Sequence, residues 1–235
     1  LPASSGFSNE VRNDLDLRNT GIEIALNTNP VRSENVTWNS TLNFWFNRTE
    51  VTRLGVPGFV PPGVAFGLGL GTFFVDQGQP ITALFGNGES GPEQIGNVEP
   101  DFQMGWYNSL NIGKNLDVNF LLHWKQGGDI LNLTRLLTNI GGTTPEENLN
   151  IEGFIEDGTY LRLREIGAFY RIPVASDFID NVKLGVSGRN LLTLTQYSSY
   201  DPEVSTKGTT GLSQGIEVTP FPSSKQVYFH VSLNF

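Results

Sequence analysis

The sequence of 235 residues contains no cysteine, one methionine and two histidines. Without cysteine there can be no disulfide, no cysteine-ligated zinc and no thiol nucleophile. The histidines, His123 and His230, fall at polar positions of predicted strands, and the sequence has neither an H-E-x-x-H nor a G-x-S-x-G motif. We therefore expect no enzymatic activity, no cofactor and no metal site in this chain.

Charged side chains are also scarce. They make up 17% of the residues, against about 25% in an average soluble domain. Their formal sum is −9, which disfavours a nucleic-acid partner because such partners bind basic patches. No run of 18 apolar residues occurs, so the sequence predicts no transmembrane helix.

The dominant feature of the sequence is a long-range alternation of apolar and polar residues. From Leu116 to Trp124, for example, every second residue is apolar. Such alternation is typical of strands that have one apolar and one polar face. It predicts seven strands, near residues 21–30, 36–48, 101–113, 115–126, 159–173, 182–195 and 225–235.

The lengths of the strands and of their connections indicate a membrane barrel. Most predicted strands have 9 to 13 residues, whereas ordinary strands average about 5 to 6 and a membrane-spanning strand needs about 9 to 11. Short turns alternate with long loops, as in outer-membrane barrels, whose long loops are extracellular. The predicted fold class is therefore all-β, an antiparallel transmembrane β-barrel segment with extracellular loops at 49–100, 126–158 and 196–223.

The fifth strand breaks the alternation. Leu161 and Leu163 are apolar on one parity, and Ile166 and Ala168 on the other. A one-residue β-bulge near Arg164 would return both pairs to the same face. We therefore predict a bulge at this point.

An odd number of strands implies that the barrel is larger than this chain. Bacterial single-chain barrels have an even number of strands. Seven strands alone leave two unpaired edges, which a lipid environment cannot satisfy. We expect the chain to be the C-terminal part of a larger barrel.

Six segments, which follow one another in order along nearly the whole chain, resemble motifs of the SusC/RagA family of TonB-dependent outer-membrane transporters. The strongest match is DGTYLRLREI at 157–166, in which Thr159 and Glu165 stand where the family pattern has Ser and Asn. The other segments are RNTGIEI at 18–24, GQPI through FG at 78–86, GNVEPDF at 96–102, SGRNLLT at 187–193 and YDPEV at 200–204.

The resemblance implies a 22-stranded barrel that is plugged by an N-terminal domain, of which this chain supplies about seven strands. Such proteins lie in the bacterial outer membrane and import large nutrients, glycans or peptides. The implied partners are a SusD-like surface lipoprotein, the TonB complex acting through an upstream region, the plug and remaining barrel strands, and outer-membrane lipid.

If the apolar positions face lipid, the polar positions face a wet lumen. One interpretation is that these lumen-lining side chains form a wall along which substrate and plug slide; the other is that they merely wet the wall and pack against the plug. The candidates are Trp45, Tyr107, Asp117, His123, Lys125, Lys183 and Arg189.

Aromatic residues form two further groups. Phe59, Phe66, Phe73 and Phe74 lie in the first long loop and could either contact a ligand by stacking or pack the loop on itself. The second group lies at lipid-facing positions toward the extracellular strand ends, as an aromatic girdle does. It comprises Phe44, Phe46, Phe102, Trp106 and Trp124.

The same alternation permits a second hypothesis, a soluble all-β carbohydrate-binding or adhesin module. In such a module, the apolar faces of two sheets would pack on each other. The two hypotheses differ in what covers the apolar face.

Overall fold

The computed structural model describes Gly6 and residues 13–61, 66–144, 150–174, 178–203, 214–221 and 223–235. Val204, the last residue of the YDPEV motif, and parts of the predicted loops 49–100, 126–158 and 196–223 lie outside these ranges. The long strands are β1 (Leu15–Arg32), β2 (Val36–Leu54), β6 (Phe102–Ile112), β7 (Leu116–Gln126), β10 (Tyr160–Pro173), β11 (Asn181–Thr195) and β13 (Gln226–Asn234).

Shorter elements lie between the long strands. They are β3 (Thr72–Phe73), β4 (Ala83–Gly88), β5 (Gly91–Asn97), β8 (Asp129–Asn132), helix α1 (Leu133–Ile140), β9 (Ile155–Asp157), β12 (Ile216–Glu217) and two single 3₁₀ turns at Leu68–Leu70 and Ile151–Phe154. Among the residues described, no helix is long and apolar enough to cross a membrane.

The seven long strands form one antiparallel sheet in the order β1-β2-β6-β7-β10-β11-β13. Each long strand pairs with the next long strand along the chain. The short turns all lie at one end of the sheet and the long connections at the other. The predicted fold class, an antiparallel barrel segment of seven strands, is confirmed, and the sheet is open.

The β1–β2 hairpin is longer than the alternation predicts. The apolar pattern ends near Ile22 and Phe46, but the ladder continues to the pair Leu15 and Leu54. Two exposed ion pairs cross this extension of the ladder, Arg18 with Glu50 and Arg53 with Asp16. Cross-strand ion pairs of this kind support a ladder without leaving an apolar pattern in the sequence.

The predicted bulge in β10 is confirmed. The register of β10 shifts between Leu163 and Glu165 against both of its neighbours, β7 and β11. The shift returns Leu161, Leu163, Ile166 and Ala168 to one face of the sheet, so that the apolar face is continuous across β10.

The apolar face of the sheet is exposed. Large apolar side chains on it, such as Ile24, Val186 and Phe229, are 55%, 43% and 85% exposed. Part of this face carries a band of aromatic rings in mutual contact, because Phe102 lies 5.5 Å from Phe44 and 5.0 Å from Trp124. The soluble hypothesis requires a second sheet packed on this face. Within the described ranges, no second sheet covers it.

The long connections fold into a layer of their own at one end of the sheet. We call the described parts of 55–101, 127–159 and 196–225 the loop layer. It contains two three-stranded sheets, β3-β4-β5 and β12-β8-β9. Its main core consists of Phe73, Leu84, Val98, Leu131, Leu133, Leu136, Phe154 and Ile216.

Helix α1 is capped at its start and packs one face into the core of the loop layer. The Asn132 side chain caps the helix by accepting a hydrogen bond of 3.0 Å from the backbone N–H of Arg135. Leu133 and Leu136 are buried in the core, whereas Leu137 and Ile140 are exposed. The alternation pattern assigned no strand to these loops. The sequences of β4 (ALFGNG) and β5 (GPEQIGN) do not alternate, and the other loop strands have only two to four residues, too few to show a period.

Candidate functional site

The polar face of the sheet concentrates polar side chains at the end that carries the loop layer. Strand pairing places Trp45, Gln103, Lys125 and Tyr160 in one row across β2, β6, β7 and β10. His123 and Arg162 pair directly in the adjacent row. Residues far apart in sequence therefore share one patch because of the antiparallel register.

A segment of the last connection folds onto this patch. Asp201 forms an ion pair with Arg162 at 2.5 Å, and Glu203 pairs with both Arg162 and Arg164. The side chains of Arg162 and Asp201 are each only 4% exposed. The DGTYLRLREI and YDPEV motifs thus meet through buried ion pairs.

The aromatic members of the patch are also fixed. Tyr160 is 2% exposed, and its hydroxyl donates a hydrogen bond to Glu203. The ring of His123 stacks on Trp45 at 5.8 Å, and its Nδ1 accepts a hydrogen bond of 2.8 Å from Arg164. Since Tyr160 and Arg164 lie on the sheet and Glu203 lies in the loop layer, their contacts hold the loop layer on the sheet.

Asp201 stays ionised in this environment. Burial raises the pKa of the Asp201 carboxyl, but hydrogen bonds from Arg162, Ser223 and the backbone N–H of Glu203 outweigh burial. The net effect lowers the pKa below its usual value of 3.8. The ion pair with Arg162 is therefore fully charged at neutral pH.

The DGTYLRLREI motif also has a steric requirement for glycine. The backbone N–H of Gly158 donates to the carbonyl of Gly128 at 2.9 Å, and a Cβ on Gly158 would lie 2.4 Å from that oxygen. Gly128 itself has a φ of +82°, which favours glycine. This close approach brings the start of β10 against the turn that follows β7.

The predicted lumen-lining residues all lie on the polar face, but they do not form one site. Trp45, His123 and Lys125 belong to the patch described above. Asp117 and Lys183 form a separate ion pair at 2.9 Å, and Arg189 lies 3.6 Å from Glu165. Tyr107 is exposed.

The predicted loop aromatics divide into two pairs. Phe73 and Phe74 are buried in the two small cores of the loop layer, where they cannot contact a ligand at the surface, so they pack the loop on itself. Phe59 and Phe66 are 37% and 50% exposed. Only this second pair is available for ligand contact.

Beside the patch, the loop layer and the sheet enclose a cleft of ≈ 310 Å³. Its polar lining comes from Gln103, Lys125, Tyr160, Glu203 and Gln214. Of these, the sequence pattern singled out only Lys125, although Tyr160 and Glu203 belong to the quoted motifs. The cleft is the candidate functional site of the chain.

The described residues hold no cluster of three or more His, Asp or Glu side chains that could bind a metal ion. Except for Lys125, the titratable groups of the patch are engaged by one another or by backbone groups. The chemistry that the cleft offers is therefore ionic and hydrogen-bonded recognition of a ligand.

Comparison with known proteins gives the following relatives. No family model matches the chain. TonB-dependent receptor P3 of Formosa agariphila is 28% identical over 86% of this chain and 27% of its own length. TonB-dependent receptor P26 of the same organism is 24% identical over the whole chain and 31% of its own length.

The chain also matches solved structures over its whole length. The RagAB peptide importer in its closed-closed state matches the whole chain with a TM-score of 0.71 at 19% identity. A second structure, of the RagAB peptide transporter, gives a TM-score of 0.74 at 18% identity. Both matches cover 31% of the solved chain.

The chain spans about three tenths of the length of the relatives it matches. The resemblance that the six motifs predict is confirmed, because the sequence relatives are TonB-dependent receptors and the fold matches that of part of the RagAB structures.

Proposed function

We propose that the chain forms the C-terminal strands of a 22-stranded, plugged barrel of a SusC-like TonB-dependent transporter in the bacterial outer membrane. The observation that carries this proposal is the division of the sheet into two faces. One face is apolar and exposed, and the other is polar and supports the loop layer.

The apolar face supports the membrane location. Soluble monomers rarely expose contiguous apolar patches of more than a few hundred Å², yet here the exposed apolar side chains extend from Ile22 on β1 to Leu233 on β13. The aromatic band at Phe44, Phe102 and Trp124 fits one interfacial girdle of such a barrel. The long connections, including the loop layer, are then extracellular.

The polar face supports transport. In our proposal it lines the lumen, through which large nutrients, glycans or peptides, enter without being chemically changed. The partners are the remaining strands and plug, a SusD-like surface lipoprotein, and the TonB complex, which supplies the energy. RagAB is described as a peptide importer, and at 19% identity this likeness supports the fold of our chain and not its substrate.

The first experiment locates the protein and tests its transport. In the bacterium that carries the full-length protein, we expect it to fractionate with the outer membrane and to migrate faster on a gel without heating, as intact barrels do. A deletion strain should lose uptake of labelled peptides or of labelled oligosaccharides, and whichever is lost identifies the substrate class. Recovery in the soluble fraction would contradict the proposal.

A further inference from the structure

The cleft between the loop layer and the polar face has two kinds of wall. Aliphatic side chains and prolines, among them Val98, Pro100, Ile130 and Pro202, form one part of its lining. The other part is polar and is formed by Gln103, Lys125, Tyr160, Glu203 and Gln214. At ≈ 310 Å³ the cleft is at the lower end of the usual range for ligand sites, about 300 to 1,000 Å³.

Lys125 differs from the other cations near it. Arg162 and Arg164 form ion pairs with Asp201 and Glu203. In the part of the chain that the structure describes, Nζ of Lys125 makes no hydrogen bond and no ion pair.

The carboxylates whose charges act on Lys125 have hydrogen-bond or ion-pair partners other than Lys125. They are Glu203, Asp157 and Asp129. Glu203 is held by the two arginines; Asp157 accepts hydrogen bonds of 2.9 and 2.7 Å from the N–H and hydroxyl of Thr159. Asp129 accepts one of 2.7 Å from the backbone N–H of Asn97. The ammonium of Lys125 therefore retains all of its donors for a ligand.

The lining also indicates which kind of anion fits. A ring that stacks on a sugar must present its face, but Tyr160 is 2% exposed and its hydroxyl is committed to Glu203. Prolines and aliphatic side chains instead suit an apolar group next to the anion. The side-chain amide of Gln103 offers one acceptor and two donors to a peptide bond.

We propose that this cleft binds the carboxyl end of a peptide whose last residue is apolar, with Lys125 pairing with the terminal carboxylate. The inference rests on the proposed transport function and gives it a substrate class. A charge-assisted hydrogen bond between Lys125 and the carboxylate supplies the preference for a free carboxyl end.

The test uses the full-length transporter purified in detergent and titrated with Ala-Ala-Ala-Ala-Leu, either as the free acid or as the C-terminal amide. We expect the free acid to bind about tenfold more tightly than the amide. Lys125→Gln should abolish this preference, whereas Lys125→Arg should keep it. Lys114→Gln, in the exposed turn between β6 and β7, is the matched control and should behave like the parent.

Three results would overturn the inference: equal affinity for acid and amide in the parent protein, a preference that survives in Lys125→Gln, or no saturable binding of either peptide up to about 1 mM. Tighter binding of trigalacturonic acid than of the free-acid peptide would overturn the peptide assignment. None of these results affects the outer-membrane location, which fractionation tests separately. The comparison of acid with amide needs no variant, so a folding defect in Lys125→Gln does not obscure it.

Discussion

Arg162 is a charged residue whose side chain is buried. Its side chain is almost completely buried between Tyr160, Asp201 and Glu203. Buried charges are tolerated when they are paired and hydrogen-bonded, and both carboxylates of the YDPEV motif serve this purpose. At the scale of single residues, this ion-pair group connects the loop layer to the barrel wall.

Replacing Arg162 by methionine should therefore be costly. It keeps most of the volume but leaves Asp201 buried without its cation, and breaking one side of a buried ion pair costs about 3 to 5 kcal/mol. We expect urea unfolding of the full-length protein in detergent, followed by tryptophan fluorescence, to show a loss of that size. Arg32→Met, at the exposed end of β1, is the control, and an equal, small effect of both variants would contradict this role of Arg162.

Asp129 should respond to pH with the opposite sign from Asp201. Burial raises the pKa of the Asp129 carboxyl above its usual 3.8, because the charged form is poorly solvated there. The folded state therefore binds the Asp129 proton more tightly than the unfolded state does. The resulting gain in the free energy of unfolding is fully present below pH 3.8 and is lost as the pH rises through the raised folded-state pKa.

Asp129→Asn removes the buried charge and keeps an acceptor for the N–H of Asn97. We expect this variant to unfold at a higher urea concentration than the parent at pH 7, and to lose the advantage near pH 3, where the parent carboxyl is protonated. The midpoints at both pH values provide the measurement. Glu89→Gln, at the exposed β4–β5 turn, should show no such pH-dependent gain, and an unchanged advantage at pH 3 would argue against the desolvation effect.

At the scale of elements, the long strands behave as two-sided ribbons. Their apolar and polar positions can be assigned from the sequence, because a strand places successive side chains on opposite faces. The bulge at Arg164 could be predicted for the same reason, since it appears as a change of parity. The extension of β1 and β2 beyond Ile22 and Phe46 could not, because ion pairs between strands leave no alternation.

The two faces of β11 should tolerate charge differently. Val186 lies on the exposed apolar face between Ala168 and Phe229, and Ser187 points to the polar face. In lipid vesicles, Val186→Arg should lower the free energy of unfolding by about 2 to 4 kcal/mol if it lies near the bilayer midplane.

Ser187→Arg provides the matched comparison one residue away. It loses the hydrogen bond of 2.7 Å between the Ser187 hydroxyl and His230, which is worth about 1 kcal/mol, and should cost less than Val186→Arg. Guanidinium titrations of both variants in the same vesicles decide the point. A larger loss for Ser187→Arg would mean that the polar face, and not the apolar one, meets the lipid.

At the scale of the whole molecule, the described strands form an open sheet whose outer strands, β1 and β13, each have one strand neighbour. The loop layer has a compact core, but the apolar face of the sheet has no protein cover among the residues described. A sheet with two free edges and an uncovered apolar face is prone to association in water.

The 235-residue chain expressed on its own should therefore need detergent. In detergent-free buffer we expect aggregates or large oligomers, as measured by size-exclusion chromatography with light scattering. In a mild detergent, the chain should be recovered in micelles. A soluble monomer with a cooperative thermal transition in plain buffer would instead favour the soluble carbohydrate-binding or adhesin hypothesis.

The sequence by itself determined the long strands, their faces, the bulge and the family resemblance, because alternation and short motifs are local properties of the chain. Only the tertiary structure decided that the loops have a core of their own, that Phe73 and Phe74 pack within it, and that Arg162 meets a carboxylate 39 residues away. It also decided that, among the described residues, Lys125 lies in a cleft without a hydrogen bond or ion pair while the arginines near it are paired. Such contacts depend on which distant segments are buried together, and no periodicity in the sequence records that choice.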